Sequence, residues 1–320
     1  MRGSSLVLAG LLLGACAKQS SGPVAPTSTA DDSRYPRAEG VPGCSLYGEP
    51  RPTGQPPANP GRVPLSLAEM SGLAASFRHP NVFWSHNDSS NAFQVFALDA
   101  RGTVLATLTL TGVDGKEAKM DLEDIALGPC SPGDPRSCLF VGDIGDNFER
   151  RARLRIFRVP EPEALADATL PVETLSFSYP DKPHDAESLI LEPRTGRLAV
   201  ITKERDSLGV VFALDGLAPG SVTKATRLGE LRSPGDVDFR TTAADLHESG
   251  QRLLLRTYTR VWEVRGPGAT RLEELVKGQV AEVPGPSQAQ SEAISFLPGG
   301  RAYLLGSEFA GQLLYRVDCR

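Results

Sequence analysis

The 320-residue chain lacks three features that would point directly to a function. It has 34 Lys and Arg against 39 Asp and Glu, so no basic excess is available to neutralise a phosphate backbone, which argues against general nucleic-acid binding. Its N-terminal apolar run, residues 6–13, is far shorter than the roughly 20 residues needed to cross a bilayer. Catalytic signatures of the GxSxG, HExxH and P-loop types are missing.

What the chain has in quantity is turn-forming residues. Gly numbers 32 and Pro 26, while hydrophobic residues make up 40% and charged residues 23%. The last two values are typical of globular proteins and exclude disorder of the whole chain. So much Gly and Pro favours many short elements over a helix bundle.

The N-terminus has the pattern of an export signal. Arg2 precedes the apolar run, which ends in Leu-Gly-Ala-Cys at Cys16 and so resembles the lipobox of bacterial lipoproteins. The resemblance implies a signal peptide over residues 1–15 and a diacylglycerol or palmitate-bearing Cys16 that anchors the protein to the membrane of the cell envelope. Ala17, rather than Asp, favours the outer membrane by the enterobacterial sorting rule. The alternative is an ordinary secretory signal with a chance Cys.

Residues 16–63 are rich in Pro and Ser and lack a sustained apolar period, which predicts a tether.

With Cys16 lipidated, four cysteines remain, an even number that indicates disulfides in an exported chain. Cys130 and Cys138 flank a Pro/Gly turn, so a hairpin bridge is the economical choice. Cys44 would then pair with Cys319. Four free thiols are the alternative; a zinc site lacks the required spacing.

A sequence unit of about 50 residues occurs five times in the chain. Its copies begin at Glu69, Asp121, Asp185, Thr242 and Gln290, and their central positions 71, 123, 187, 244 and 292 are 52, 64, 57 and 48 residues apart. Each unit contains up to four short strand-like segments, with 270–276 as the fourth in unit four. This predicts an all-β fold, a β-propeller over residues 64–320 with five four-stranded blades, or six as the alternative, closed by N- and C-terminal strands. A β-sandwich would show no such period.

In a propeller, the first strand of each blade faces the central channel, so the repeated acids are expected to converge there. Carboxylates in a narrow channel must bind a cation, pair with bases or take up protons. Oxygen ligands suit Ca²⁺ or another divalent cation such as Mg²⁺ better than Zn²⁺. The candidate ligand or channel residues are Glu69, Asp88, Asp121, Glu123, Asp185, Glu187, Lys203, Asp245, Arg256, Glu292 and Glu308.

Asp143, Asp146 and Asn147 form the densest metal candidate, since Gly hinges separate their oxygen donors. His86 and His184 lie beside carboxylates and are the catalytic candidates, as general acids or bases. The alternative for all of these residues is structural: they cap turns and join blades through hydrogen bonds.

The motifs E-x-S-G-L at 69–73, W-x-H-N-D at 84–88, D-x-E-D-I-A at 121–126, G-D-I-G-D-N at 142–147 and H-D-A-E at 184–187 carry a resemblance. Over residues 64–320 the chain resembles a group of exported bacterial propeller lipoproteins. More remotely, it is similar to phytase-like and gluconolactonase-like propellers, which implies a divalent cation held by channel acids. That remote similarity concerns the fold and says little about function. Ala244 and Ser71 stand where the other units have Glu, so the expected acid ring is incomplete.

Three functions remain open from the sequence. The first is a membrane-anchored binding module for an envelope protein, glycan or small molecule. The second is a divalent-metal-dependent hydrolase of phosphoesters, esters or lactones that uses the channel carboxylates. The third is a scaffold for envelope assembly.

Overall fold

The structure is a computed structural model that describes Cys44 and residues 47–55, 59–88, 92–113, 120–235 and 239–319. The predicted signal peptide, the lipidation site Cys16 and the predicted tether as far as residue 43 lie outside the described residues. Within the part of the chain that is described, no helix has the length and apolar character needed to span a membrane.

The regular secondary structure of the described residues is almost entirely short β-strands. The buried residues of the chain are chiefly Val, Leu, Ile, Phe and Ala, as expected for a β-rich core. In chain order the strands are β1 (Arg51–Pro52), β2 (Gly54–Gln55), β3 (Asn59–Pro60), β4 (Met70–Ala75), β5 (Val82–Asn87), β6 (Gln94–Asp99), β7 (Val104–Thr111), β8 (Leu122–Pro129), β9 (Ser137–Asp143), β10 (Leu154–Pro160), β11 (Ala168–Pro171), β12 (Glu173–Ser178), β13 (Ala186–Leu191), β14 (Leu198–Thr202), β15 (Gly209–Leu214), β16 (Val222–Lys224), β17 (Thr226–Leu231), β18 (Thr241–Leu246), β19 (Arg252–Thr257), β20 (Val261–Arg265), β21 (Gln279–Val283), β22 (Ser291–Phe296), β23 (Ala302–Ser307) and β24 (Tyr315–Asp318).

Among these residues, five sheets form the blades of a β-propeller, which confirms the predicted fold class. From axis to rim, the blades are β4-β5-β6-β7, β8-β9-β10-β12, β13-β14-β15-β17, β18-β19-β20-β21 and β22-β23-β24-β1. Each inner strand contacts the inner strands of the two neighbouring blades, so the ring closes around a central channel. The short strands β11 and β16 pair in parallel with the outer strands of blades 1 and 2.

The two ends of the chain meet in blade 5. Arg51 of β1 pairs with Arg316 of β24, so the N-terminal segment supplies the outer strand that the C-terminal unit lacks. A disulfide joins Cys44 to Cys319 beside this pairing, and a second joins Cys130 to Cys138 across the β8–β9 hairpin. Both predicted disulfides and the predicted closure by terminal strands are therefore confirmed.

The outer strand of blade 4 differs from the prediction. Residues 270–276 contain a short helix, α1 (Leu272–Leu275), and β21 is the fourth strand instead. Leu272 and Leu275 are one helical turn apart and both are buried against the core. The Glu274 carboxylate accepts the Thr270 backbone N–H at 2.8 Å, which satisfies a donor at the start of the helix.

The inner strands share an irregularity near their start. The pairing register shifts between the residues on either side of Glu123, Glu187, Thr242 and Glu292, which makes each of these a bulged residue, and blade 1 has a shift beginning at Ser71. A bulge leaves its residue outside the ladder and re-aims the side chain. The sequence alignment that put Ala244 in this position was wrong by two residues, because Thr242 occupies the bulge of blade 4.

Candidate functional site

The channel has an acidic end, on the side where the inner strands begin. Its acids share one property: each lies at the start of an inner strand or just beyond the end of a second strand, and these ends meet because the two strands are antiparallel. We call this set the acid mouth, and it consists of Asp88, Asp121, Glu123, Asp185, Glu187, Glu292 and Glu308. The bulges explain how three of these glutamates leave the strand ladder.

The closest group within the acid mouth is Asp88, Asp121 and Glu123. Each offers one carboxylate oxygen, and the three oxygens lie within 4.8 Å of one another. Glu123 is buried, and burial raises the pKa of its carboxyl group well above the ordinary value; Glu187, Asp88, Asp121 and Asp185 raise it further. The ionised form of this group is therefore strongly disfavoured unless a cation joins it.

Gly145 makes room for these carboxylates. A Cβ atom at this position would clash with Glu123 Oε1 and would lie 2.6 Å from Asp121 Oδ2. The backbone N–H of Gly145 also donates to the Asp121 carbonyl oxygen at 3.2 Å. The second Gly of the 142–147 motif is thus required by the close approach of two acids.

The next acid, Glu187, has a basic partner. Lys203 Nζ donates to Glu187 Oε1, and it also donates to the Tyr258 hydroxyl oxygen at 2.8 Å. Burial lowers the pKa of Lys203, but the charge of Glu187 and the hydrogen bonds to Glu187 and Tyr258 together raise it by more, so the net pKa lies above the ordinary value. Lys203 therefore stays charged and neutralises one carboxylate of the mouth.

Glu292 and Glu308 form a carboxyl pair. A hydrogen bond joins the two side chains, which requires a proton on one of them, and Gln290 Nε2 donates to Glu292 Oε1 at 3.0 Å. Burial, this hydrogen bond and the charge of Glu308 raise the pKa of Glu292 to about 9. The pair thus holds one proton at neutral pH.

The predicted metal residues on the 142–147 segment have separate partners. The Asp143 carboxylate binds Arg155 Nε at 2.6 Å and an Arg151 guanidinium nitrogen at 2.9 Å, so its charge is already neutralised. Asp146 Oδ2 accepts the Arg151 backbone N–H at 2.6 Å, and Asn147 is exposed. Two of these side chains hold the loop that carries Gly145, and the acids that approach one another lie elsewhere.

The two histidine candidates differ in their surroundings. His86 is fully buried on β5, its Nδ1 lies 2.9 Å from the Asn87 carbonyl oxygen, and burial lowers its pKa to about 4, so it is neutral. His184 lies directly before Asp185 of the acid mouth, and its Nε2 is 3.1 Å from Asp181 Oδ1. Of the two, His184 is the one paired with a carboxylate.

Three further candidates lie outside the acid mouth. Glu69 is exposed just before β4. Arg256 is buried on β19 and donates to the Pro286 carbonyl oxygen at 3.2 Å and to Ser291, which joins blade 4 to blade 5. The third candidate, Asp245, lies at the other end of the channel.

Asp245 was expected at the axis or its mouth beside the other acids, and the structure corrects this. Its Oδ2 accepts the Phe296 backbone N–H at 2.7 Å, near the carboxyl end of the inner strands. Asp245 lines an apolar pocket to which the inner strands of all five blades contribute, with Ala74, Ala126 and Leu191 among the lining residues. Burial raises the pKa of Asp245 to about 7. The two-residue error in the blade 4 alignment caused the misplacement.

Asp124 was not selected from the sequence, yet it is fully buried where the inner strands of the blades meet, which we call the hub. Its Oδ2 accepts the backbone N–H groups of Leu189 at 2.9 Å and Ala244 at 3.4 Å, which belong to blades 3 and 4. The only feature of the sequence that could have pointed to Asp124 is its position next to Glu123. The bulge re-aims Glu123 toward the mouth, while Asp124 points between the inner strands of the blades.

Comparisons with known proteins identify no family for this chain. No family model matches the chain, and no curated protein matches it. Among solved structures, the chain is similar to one described as "Structure of Dos1 propeller", with a TM-score of 0.36 and 12% sequence identity. The match covers 75% of this chain and 55% of that chain, so this chain spans about half of its relative.

Proposed function

We propose that this protein is a lipid-anchored binding module of the cell envelope that holds a divalent cation in its acid mouth and binds its ligand there. The observation that carries the proposal is the convergence of Asp88, Asp121 and Glu123 within 4.8 Å. Ionised carboxylates at this separation repel one another, and a cation between them would remove both the repulsion and the cost of burying the charge of Glu123.

The chemistry of the donors favours Ca²⁺ or another hard divalent cation. All three side chains offer oxygen, which such cations prefer to nitrogen or sulfur. Three carboxylates leave further coordination positions open, since Ca²⁺ takes six to eight oxygen ligands. An anionic or oxygen-rich group of a glycan, a protein or a small molecule would complete the shell.

The sequence supports the location. The lipobox-like segment ending at Cys16 and the Pro-rich residues that follow would hold the propeller away from a membrane surface, with the outer membrane favoured by Ala17. Two disulfides are in keeping with an exported protein.

The second candidate function is a cation-dependent hydrolase of phosphoesters, esters or lactones. The observation in its favour is the His184–Asp181 pair, one residue from Asp185 of the acid mouth. A histidine oriented by a carboxylate is a common general base, and a bound cation would supply an activated water. His86 is a weaker candidate because it is buried and neutral.

Calorimetric titration of the full-length chain with Ca²⁺, Mg²⁺ and Mn²⁺ tests the proposal. We expect one site for Ca²⁺ that Glu123→Gln weakens at least tenfold, while Glu282→Gln, on the exposed outer strand of blade 4, leaves it unchanged. The absence of binding at millimolar Ca²⁺ would exclude the cation. Turnover of phosphoester or lactone substrates that His184→Gln abolishes would favour the hydrolase over the binding module.

A further inference from the structure

Apolar side chains are exposed on the face that carries the acid mouth. Among the described residues, the three most exposed large apolar side chains are Leu65, Phe148 and Phe309, with exposed fractions of 84%, 78% and 49%. Leu65 lies in the 3-10 turn before β4, Phe148 follows the end of β9, and Phe309 follows the end of β23. All three positions are at the end of the propeller where the inner strands begin.

Backbone contacts place the acids between these apolar residues. On one side, the Phe309 N–H donates to the Ala68 carbonyl oxygen at 2.7 Å, so Phe309 lies against the segment that contains Leu65. The residue after Ala68 is Glu69, and its backbone carbonyl oxygen accepts the Asp88 N–H at 2.9 Å. This side of the acid mouth is therefore bordered by Leu65 and Phe309.

On the other side, the Asp121 carbonyl oxygen accepts the Ile144 N–H at 3.1 Å, and the chain runs from there to Phe148. The guanidinium of Arg150 lies 5.4 Å from the centre of the Phe148 ring, which leaves most of the ring exposed. The group of Asp88, Asp121 and Glu123 thus has apolar side chains on two sides. We call Leu65, Phe148 and Phe309 the apolar flanks.

Phe309 also has a backbone conformation that a bulky residue rarely adopts. Its φ is 70°, in the left-handed region, where a residue other than Gly, Asn or Asp is an outlier. Such conformations persist only where the surrounding structure imposes them, and they are frequent at binding sites. Here the hydrogen bond to Ala68 holds the backbone while the ring stays half exposed.

Charge selects the kind of partner that fits this face. The acid mouth has seven carboxyl groups; a divalent cation, the Lys203 ammonium and the proton shared by Glu292 and Glu308 neutralise four charges and leave the centre negative. A negative centre with apolar borders complements a positive side chain with apolar neighbours. It opposes an anionic membrane surface by the same reasoning.

We propose that the mouth face docks a protein segment in which a lysine or arginine is flanked by large apolar side chains. The basic group would contact the carboxylates that the cation leaves free, and the flanking side chains would cover Leu65, Phe148 and Phe309. This names the class of partner for the binding module proposed above and rests on that function, although the apolar flanks themselves hold no cation.

Synthetic peptides test the proposal. The full-length chain is immobilised in non-ionic detergent with detergent-only reference surfaces, and the probe is Gly-Leu-Phe-Lys-Phe-Leu-Gly. One comparison peptide has Glu for Lys, and another has Ser for every Leu and Phe. We expect the probe to bind at least tenfold more tightly than either. Equal binding of the acidic peptide would overturn the proposal and indicate a merely apolar surface.

Paired variants separate the docking proposal from the cation proposal. Phe148→Ser/Phe309→Ser should lower the affinity for the probe peptide at least tenfold and leave the affinity for Ca²⁺ unchanged. The matched control is Leu105→Ser/Val222→Ser, which changes the two large apolar side chains exposed on strands β7 and β16 and should preserve both affinities. Probe binding that survives the flank variant contradicts the docking proposal even if Ca²⁺ binds, whereas loss of Ca²⁺ binding alone counts against the cation.

Discussion

The ammonium group of Lys203 binds the carboxylate of Glu187 at the acid mouth, and only 14% of the lysine side chain is exposed. Lys203 comes directly after β14, and Glu187 lies at the bulge of β13, so the pair crosses one hairpin of blade 3. The pair neutralises one of the seven carboxyl groups of the mouth.

Lys203→Met should destabilise the protein by about 3 kcal/mol at pH 7, because removing one partner of a buried pair leaves the other charge uncompensated. The loss should be larger at pH 8 than at pH 5, since Glu187 can be protonated at the lower pH. Urea denaturation measures it. Lys182→Met, which breaks the exposed pair with Glu149, is the control and should change the stability by less than about 1 kcal/mol. Equal losses of unfolding free energy in the two variants would show that the Lys203–Glu187 pair stabilises the fold no more than an exposed ion pair does.

Asp124→Ala should destabilise the hub by about 2 kcal/mol, because the buried N–H of Leu189 loses its acceptor. Asp124→Asn keeps one acceptor oxygen and should recover part of the loss. Thermal melting of both variants against Asp134→Ala, which lies in an exposed turn, measures the difference. A melting temperature unchanged in Asp124→Ala would mean that the blades do not depend on this contact.

The stability should fall as pH rises from about 4.5 to 9. Burial raises the pKa of Glu292 from 4.5 to about 9 and that of Asp245 from 3.8 to about 7, so in this range the folded chain binds more protons than the unfolded chain. Stability decreases with pH wherever the folded state holds the extra protons. Urea midpoints at pH 5, 7 and 9 check this. Glu292→Gln should make the decline shallower, and a midpoint that increases with pH would refute the assignment.

The closure disulfide should contribute more to stability than the hairpin disulfide. Cys44 and Cys319 are 275 residues apart, against 8 for Cys130 and Cys138. Because a bridge restricts the unfolded chain more as its loop lengthens, the expected losses are up to about 5 and about 2 kcal/mol. Denaturation of Cys44→Ser/Cys319→Ser and of Cys130→Ser/Cys138→Ser compares them. A larger loss from the second variant would indicate that blade 5 closes without its disulfide.

The repeat was enough to predict the propeller because each unit carries its own strands and turns. The 50-residue period gave five blades, and the even cysteine count with one short turn gave both disulfides. The outer strand of blade 4 was missed because α1 and a strand have similar apolar content over a few residues. Leu272 and Leu275 show helical spacing, but a four-residue helix is too short for periodicity to identify it.

The site was harder to predict because bulges, not strand period, decide which residue enters the channel. The sequence alignment put Ala244 at the bulge position of blade 4, whereas the register of the strands puts Thr242 there. Likewise, the closely spaced acids Asp143 and Asp146 suggested a cation site. Arg151 and Arg155, which lie outside the motif at 142–147, neutralise Asp143 instead. Pairing across a hairpin is visible only in the register of the strands.

An anomalous difference map from crystals grown in Ca²⁺ tests the cation site of the acid mouth. We expect one peak there, about 2.3–2.6 Å from carboxylate oxygens of Asp88, Asp121 and Glu123. A map with no peak there at saturating Ca²⁺, while the three side chains keep their positions, would contradict the cation proposal.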